Sequence, residues 1–575
     1  RPGRAPGGEH ELDVSRLLAL ALQLEELLGA PQDIEWTMDA SGNLWIVQSR
    51  PITNLPAGAF DRPNGTEWLL TYDEPFSPLG VEIAMARYRY WVNGINASFK
   101  TRFPAEMRAQ DGLLYYRPTW RSPGRLQRGW INFWRLAVWL RSGRAHRRYT
   151  DHILPEYNRR LAAIERIPFS EQSSASLLKH LRSGVQAYLD FQYTSYPIGA
   201  AATLAAGLLG YACRALFGRR AKWDALDFLA GLDDVSIQRE LEIYRLGQLL
   251  QPSLPPCASD LTELWQQVDP SGPFWAALQP FLREYGYLWA DRYPRDPAWE
   301  LNQEALITSL WMAAQAPPEE SLAARHQAQQ RRRAAAVQAA LVVLSRPAGL
   351  PVRRWIFTAL LRRAETLFPF KENRNHATYR GMMVIRQVAR ELGRRMQRRQ
   401  LLPETEDLFF LELNEIETLW NDPKTASRLL AKVEQRKAVY RRSRQRSRQH
   451  PAPHNGRAAA SFELHGDPCS PGLARGPARL VSGPGELQRV RPGEIVVCSQ
   501  LRPAWSTVFA RAGAVVIEMG SLLSHGSTLA REYGIPAVIN VANITALVQE
   551  NDWLVVDGNL GRVAIERQPA PEVNR

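Results

Sequence analysis

Gly520-Ser-Leu-Leu-Ser-His525-Gly-Ser-Thr-Leu-Ala-Arg-Glu-Tyr-Gly-Ile-Pro-Ala-Val538 is the stretch on which the reading of this 575-residue chain turns. The apolar run at 514–518 predicts a strand leading into Gly520, and the pattern at 526–533 predicts a helix stopped by Gly534 and Pro536. Ser524 and His525 therefore fall where a loop enters a helix. Unpaired backbone N–H groups and the positive dipole end favour an anion there, such as a phosphoryl group, and Gly526 leaves room for one to approach. Neutral imidazole is a good nucleophile near pH 7, and its phosphoramidate is reactive enough to hand the group on. The same spacing equally describes a helix-capping Ser524 beside an ordinary surface histidine, so spacing alone leaves both readings open.

Outward from this stretch, short apolar runs at 476–481, 494–498, 514–518, 537–539 and 554–556 alternate with turn residues and two helical patterns. They predict a compact α/β unit over 461–567, about 100 residues and enough to fold. The Pro/His/Asn/Gly-rich segment 450–460 reads as a linker, with 450–456 as a hinge. Residues 57–449 read as overwhelmingly helical, with long uninterrupted patterns at 174–193, 235–250 and 377–399 and breaks at 251–256 and 316–318. At the other end, apolar residues from Val14 to Leu28 at helical spacing, then Gly29, then two short strands at 34–36 and 44–47 around Ser41-Gly-Asn43, give an α-then-hairpin piece over 1–56.

Composition bounds the function. With 45% hydrophobic and 23% charged residues the chain has material for packed cores, and its length suggests roughly three to four domains. Lys+Arg 72 against Asp+Glu 58 leaves +14, which favours anionic ligands without choosing among nucleotides, nucleic acid and acidic lipid. The basic run 436–448 has no aromatic ladder, so it reads as a solvated helix end, with no specific nucleic acid expected. The uncharged stretch 191–213 is long enough to span a bilayer, but its first third is polar, and a buried helix with no membrane contact is expected. The four cysteines form no Cys-x-x-Cys pair and no signal peptide opens the chain, which together predict a reducing, cytoplasmic setting.

The quoted stretch resembles the phosphohistidine, or swivelling, domain of the phosphoenolpyruvate-utilising enzymes: a glycine pair, Ser or Thr, the phosphorylated His, then Ala-Arg-Glu-x-Gly-Ile-Pro-Ala-Val. Ser470-Pro-Gly472 with Gly476, Pro492-Gly-Glu-Ile-Val-Val497, Pro503-Ala-Trp505 and Val556-Asp-Gly558 with Gly561 extend the likeness. The motif's second glycine is Ser521 here, and the acidic residue before Pro-x-Trp is Arg502. The resemblance implies that His525 is the catalytic phosphoryl carrier, in a loop supported by Gly520, Ser524 and Gly526.

Pro31-Gln-Asp-Ile-Glu-Trp36 with Leu44-Trp-Ile-Val-Gln-Ser-Arg-Pro-Ile-Thr53 resembles the end of the ATP-grasp nucleotide domain of the same enzymes. It implies Glu35 and Gln48 as Mg²⁺ ligands, and Gln48 and Arg50 as nucleotide and phosphate contacts; from the residues alone these are also the polar face of an exposed strand pair. Only about 55 residues of that longer domain are recognisable, which suggests a fragment, a split gene or a chain that has lost its own ATP site, and a separate chain supplying the rest becomes an expected partner. Glu74-Pro-Phe-Ser-Pro-Leu79, Leu229-Ala-Gly-Leu-Asp233, Glu284-Tyr-Gly286, Lys371-Glu-Asn-Arg374 and Glu406-Asp-Leu-Phe-Phe-Leu411 make the helical middle similar to the acceptor-binding domain of rifamycin phosphotransferase-like members. The expected fold is thus multidomain α and α/β: an ATP-grasp C-terminal remnant, a large helical domain and a swivelling domain. The expected function is an ATP- and Mg²⁺-dependent dikinase-type phosphotransferase acting on an unknown small-molecule acceptor. A non-catalytic phosphocarrier and a basic nucleic-acid or membrane-surface binding protein stand as alternatives.

Overall fold

The computed structural model describes residues 32–38, 44–51, 68–71, 75–99, 105–118, 143–218, 223, 225–250, 271–286, 303–315, 322–345, 351–448, 461–501, 503–520 and 524–566. The expected helix at 14–28, the breaks at 251–256 and 316–318, the linker 450–460, Arg502 and Ser521 lie outside them. The chain divides into two compact units, Arg1–Glu67 and Trp68–Arg575, each taken by itself.

The described part of the first unit is an antiparallel hairpin of β1 (Gln32–Met38) and β2 (Leu44–Pro51), with the register slipping by a bulge between Glu35 and Trp36. Both strands run longer than the short apolar runs that predicted them, because pairing continues through the polar residues on either side.

The second unit opens with a small sheet that the all-helical reading of 57–449 missed. β3 (Leu69–Leu70), β4 (Ala105–Gln110) and β5 (Leu113–Pro118) pair in the order β3-β5-β4. Asp111 and Gly112 both have positive φ, 51° and 81°, the geometry an Asp-Gly hairpin turn requires.

Helices follow: α1 (Pro78–Phe99), α2 (Leu154–Glu165), α3 (Ser174–Phe217), α4 (Val235–Leu250), α5 (Pro273–Tyr285), α6 (Gln303–Ala314), α7 (Leu322–Leu344), α8 (Pro351–Leu367), α9 (Phe370–Arg398), α10 (Leu413–Asn421) and α11 (Ala426–Arg448). In α9, Ala377, Gly381, Ile385, Val388, Leu392 and Met396 recur every three or four residues and form one buried face. That face packs along α3, with Leu161, Leu181, Tyr188, Phe357 and Leu361 completing the main core. A satellite core joins α4, α5 and α6 through Ile243, Leu246, Phe274, Leu278, Ile307 and Leu310.

α3 is 44 residues long, about 66 Å of helix, and the uncharged stretch 191–213 is its second half rather than a separate element. Pro197 lies inside it and has no N–H, which removes the helical donor of the Tyr193 carbonyl. Gly94 of α1 abuts that carbonyl, and a Cβ there would lie 2.2 Å from its oxygen. By length and composition α3 could cross a membrane. Its Ile198, Ala202, Ala205, Leu209 and Cys213 are committed to the main core, while Tyr211 is exposed, so the expectation of a buried helix holds for one face.

The basic run 436–448 is the end of α11, and its first members are ion-paired. Arg436 bonds Glu412 and Glu415, and Lys437 bonds the buried Asp407 at 2.8 Å.

The C-terminal domain holds β6 (Ser461–His465), β7 (Asp467–Ser470), β8 (Leu473–Leu480), β9 (Ile495–Cys498), β10 (Ala514–Ile517), α12 (His525–Tyr533), β11 (Ala537–Ile539), α13 (Ile544–Leu547), β12 (Trp553–Asp557) and β13 (Arg562–Glu566). The order is β6-β13-β12-β8-β9-β10-β11-β7: β8 to β11 are parallel and the flanking strands antiparallel. Every residue of β9, β10 and β11 is buried, as expected of parallel strands covered on both faces. Alternate residues feed two cores. Ile495, Val497, Val516 and Val538 meet Leu554, Val556, Val563 and Ile565 on one side; Val496, Val515, Ile517 and Ile539 meet Phe509, Leu529 and Tyr533 on the other. Ile237 of α4 and Met312 of α6 enter the second core, so the satellite helices cover that face of the sheet.

Candidate functional site

His525 is the first residue of α12, reached by the loop that leaves the C-terminal end of β10. That edge of a parallel sheet is where ligands of α/β folds bind. Ser524 is the N-cap, with extended backbone (φ −69°, ψ 158°); its Oγ accepts from the Ser527 N–H and lies 2.8 Å from the Ser527 Oγ, and its carbonyl accepts from the Thr528 N–H at 3.0 Å. The capping reading of Ser524 is thus realised, and it leaves the carrier reading of His525 intact. A fixed cap orients the earlier amides, those of 525 and 526, along the axis toward whatever binds ahead of the helix.

The loop is anchored before it reaches the cap. The Gly520 N–H donates to Asn540 Oδ1 at 2.9 Å, and Asn540, itself at φ 58°, donates through Nδ2 to Asp467 at 2.7 Å. The Met519 N–H donates to the Ser499 carbonyl at 2.9 Å, and the Glu518 carboxylate accepts from the Thr545 N–H at 3.2 Å and from its hydroxyl. Sequence reasoning missed Asn540 and Thr545, which lie after the motif; Asn in a turn between an apolar strand and a short helix was the available signal. Gly526 is buried, and a Cβ on it would lie 3.0 Å from Leu501 Cβ and 3.4 Å from Ile517 Cδ1. Its small size serves the packing of the helix start on the sheet. Residues 521–523 and the His525 side chain lie outside the described residues.

The far end of α12, about 12 Å along the axis, docks on the helical region. Gln329 of α7 donates to the Arg531 carbonyl at 2.9 Å, and Arg325 donates to the Tyr533 carbonyl at 2.8 Å, a cation on helix-terminal carbonyls. Between them, His326 Nδ1 is 2.9 Å from Glu532 Oε2 and its Nε2 is 2.8 Å from Asp233 Oδ1. Carboxylates beside both ring nitrogens favour the doubly protonated, cationic imidazole, and Gln330 Nε2 also lies 3.1 Å from His326 Nε2. Burial pushes the His326 pKa down, but the bonds from Glu532 and Asp233 outweigh it and hold it above the ordinary value. The other Glu532 oxygen accepts from the Gly231 N–H at 2.8 Å. Gly231 has φ 71°, and a Cβ there would lie 2.7 Å from the Gln330 amide nitrogen, so only glycine fits. Leu229-Ala-Gly-Leu-Asp233, noted in the sequence only as a likeness, is this docking loop, and the Arg-Glu pair of the histidine motif divides its work. Arg531 turns inward toward the Cys469 carbonyl and Thr528, while Glu532 turns outward to α7.

In the first unit the strand register pairs Glu35 with Gln48, and Arg50 with Asp33, a carboxylate that sequence reasoning did not single out. Three oxygen donors and a guanidinium thus occupy adjoining register positions, a set whose chemistry suits a hard cation beside phosphate. Their side chains lie outside the described residues.

Comparison with known proteins matches three stretches. Residues 490–561 match the mobile domain of PEP-utilising enzymes, residues 194–372 the fourth domain of rifampicin phosphotransferase, and residues 10–65 the AMP/ATP-binding domain of pyruvate phosphate dikinase. These three stretches are domains of the PEP-utilising enzymes. Among similar proteins are the uncharacterized phosphotransferase YvkC of Bacillus subtilis (34% identical over 18% of this chain and 12% of that protein) and the rifampicin phosphotransferase of Streptomyces sviceus (27%, over 36% and 24%). A probable phosphoenolpyruvate synthase of Staphylothermus marinus is 33% identical over 18% of this chain and 13% of that protein. The chain spans about an eighth to a quarter of the length of these relatives. Along the chain the three matched stretches run in the order ATP-binding domain, rifampicin phosphotransferase fourth domain, mobile domain.

Proposed function

We propose that the chain relays a phosphoryl group, in the manner of a dikinase, from ATP through His525 to a hydroxyl of an acceptor held by the helical region. The observation that carries the proposal is the position of His525, at the capped start of α12 and at the ligand-binding edge of the parallel sheet, inside the stretch matching the mobile domain. A His525 ring nitrogen attacks the β-phosphorus of ATP, the bond to the AMP oxygen breaks and AMP leaves; water then removes the terminal phosphoryl group as orthophosphate, which leaves phosphohistidine, and the first-turn amides receive the charge that develops on the phosphoryl oxygens. The acceptor oxygen then attacks the phosphohistidine, its proton leaves, and imidazole is regenerated. Over the cycle ATP, acceptor and water give AMP, orthophosphate and phosphorylated acceptor. Glu35 and Gln48 would hold Mg²⁺, which would screen the phosphate charge, with Arg50 on a phosphate oxygen. The same reading makes the protein cytoplasmic, with a small-molecule acceptor and a separate chain carrying a full nucleotide-binding domain as its partners. The test supplies a complete nucleotide-binding domain of a phosphoenolpyruvate synthase in trans with Mg·ATP and follows AMP formation. The reading requires AMP release that depends on this chain and stops with His525→Ala; AMP release indifferent to that substitution would remove it.

A further inference from the structure

The seam between α3 and α9 carries polar groups inside the main core. Gln192, Ser195 and Gly199 lie three and four residues apart on α3 and form a polar line in an otherwise apolar core. Opposite them on α9, Thr378 accepts from Gln192 Nε2 at 3.1 Å, and one turn earlier stands Arg374. The Arg374 side chain is more than nine-tenths buried, and its guanidinium lies over the Tyr196 ring, 4.4 Å from the centroid. Its Nη2 donates to Asn375 at 2.8 Å, while among the described residues Nε and Nη1 have no partner and no carboxylate forms an ion pair with it. Gly199 lies beside the guanidinium, and a Cβ there would be in ordinary contact with Nη1 at 3.8 Å. Two further buried polar groups without partners among the described residues lie on the neighbouring turns: Ser195 Oγ, one turn from Gly199 on the same face of α3, and the Tyr149 hydroxyl, whose ring packs on Phe370 one turn before Arg374. Burial pushes the Tyr149 hydroxyl pKa up, and the charge of Arg374 acts against that rise.

A buried cation with two idle donors is strongly unfavourable unless something pairs with it. Three unsatisfied polar groups from three elements, walled by Tyr196, Tyr149 and Phe370, describe a site kept ready for a ligand at the expense of stability. We infer that Arg374, Ser195 and Tyr149 form an anion subsite in the helical region that takes the oxyanion, carboxylate or phosphate, of a ligand whose body is apolar or aromatic. The guanidinium bonds the oxyanion, the two hydroxyls complete its shell, and the aromatic rings hold the body. That this ligand is the phosphoryl acceptor rests on the function proposed above; the subsite itself does not.

The experiment measures binding of benzoate, phenyl phosphate and inorganic phosphate to the full chain by calorimetry, with urea unfolding of the ligand-free protein alongside. Benzoate or phenyl phosphate should bind, Arg374→Lys should weaken binding at least tenfold, and Arg374→Met should abolish it. The ligand-free Arg374→Met protein should unfold at the same urea concentration as the parent or a higher one, because the substitution removes an unpaired buried charge. Benzoate without phosphate binding assigns a carboxylate ligand; phosphate alone assigns a phosphate. Failure of all three probes, equal binding by Arg374→Met, or a lower unfolding midpoint for that variant would overturn the subsite. If Arg374→Met does not fold, Arg374→Lys decides, since unchanged binding by it overturns the proposal. All binding is repeated on His525→Ala, which should leave it unchanged, so loss of phosphoryl relay and loss of the subsite are read separately.

Discussion

Replacing His326 with alanine should loosen the hold of the helical region on the histidine domain. The Glu532 carboxylate is 4% exposed and the imidazole 6%, whereas Asp233 is 69% exposed. The Asp233 arm is close to a surface pair, worth about 0–1 kcal/mol. The Glu532 arm is a buried pair, and removing one partner leaves a buried carboxylate with the Gly231 N–H as its remaining bond on that side, a loss of about 3–5 kcal/mol. At about 1.4 kcal/mol per tenfold, docking should weaken by roughly two to three and a half powers of ten. Because the folded pKa of His326 is raised, its contribution is fully present below about pH 6.5, the free imidazole value, and is lost as pH rises through the folded value. Hydrogen exchange at the Gly231 amide, corrected for the intrinsic pH dependence, reads both effects. Protection in the parent should fall on going from pH 6 to alkaline pH. In His326→Ala it should be low at every pH. Equal protection in the two proteins, or the same pH dependence in both, would refute the assignment of a charged His326–Glu532 pair.

Other outcomes follow from the same geometry. Gly231→Ala places a Cβ against the Gln330 nitrogen at positive φ and should lower stability by about 1–3 kcal/mol in urea unfolding, while Gly483→Ala, with nothing within 4 Å, should change it by less than about 0.5 kcal/mol. Burial pushes the Glu415 carboxyl up, but bonds from Arg436 and Lys432 outweigh it and bring it down to about 2. Its share of stability should therefore be whole above about pH 4.5 and fade as pH falls toward 2, and Glu415→Gln should flatten that part of the acid-unfolding curve. Asn540→Ala removes the acceptor of the Gly520 N–H and should slow histidine phosphorylation in the reconstituted system more than it lowers the thermal midpoint; the reverse ranking would deny the loop anchor a positioning role. Replacing 450–456 with a rigid helix should stop acceptor phosphorylation while leaving histidine labelling, and transfer at an unchanged rate would remove the swivelling motion from the account.

The parallel strands and α12 were legible because their signals are local: β9, β10 and β11 are unbroken apolar runs, and Ser524, Gly534 and Pro536 punctuate the helix between them. β13 escaped notice because it alternates only weakly between buried and exposed residues, and β6 and β7 because they are the short strands at the two ends of the sheet. α3 was cut short at Tyr193 because Pro197 ordinarily ends a helix, whereas here the helix runs through it, with Gly94 packed against the freed carbonyl. The histidine could be found from its motif. The docking of Glu532 on His326 could not, because 206 residues separate them and nothing near His326, in a run of Ala, Gln and Arg, distinguishes it from a solvated histidine. Arg374 was quoted in the sequence only as part of Lys371-Glu-Asn-Arg374; that it is buried without an acid to face it is a tertiary fact.

The central claim is a covalent one, and direct mapping of the phosphoryl group tests it. With a complete nucleotide-binding domain and labelled ATP, the chain should acquire an acid-labile, base-stable label that maps by peptide sequencing to His525 and disappears in His525→Ala. Label that persists in that variant, or that maps to another residue, would contradict the account.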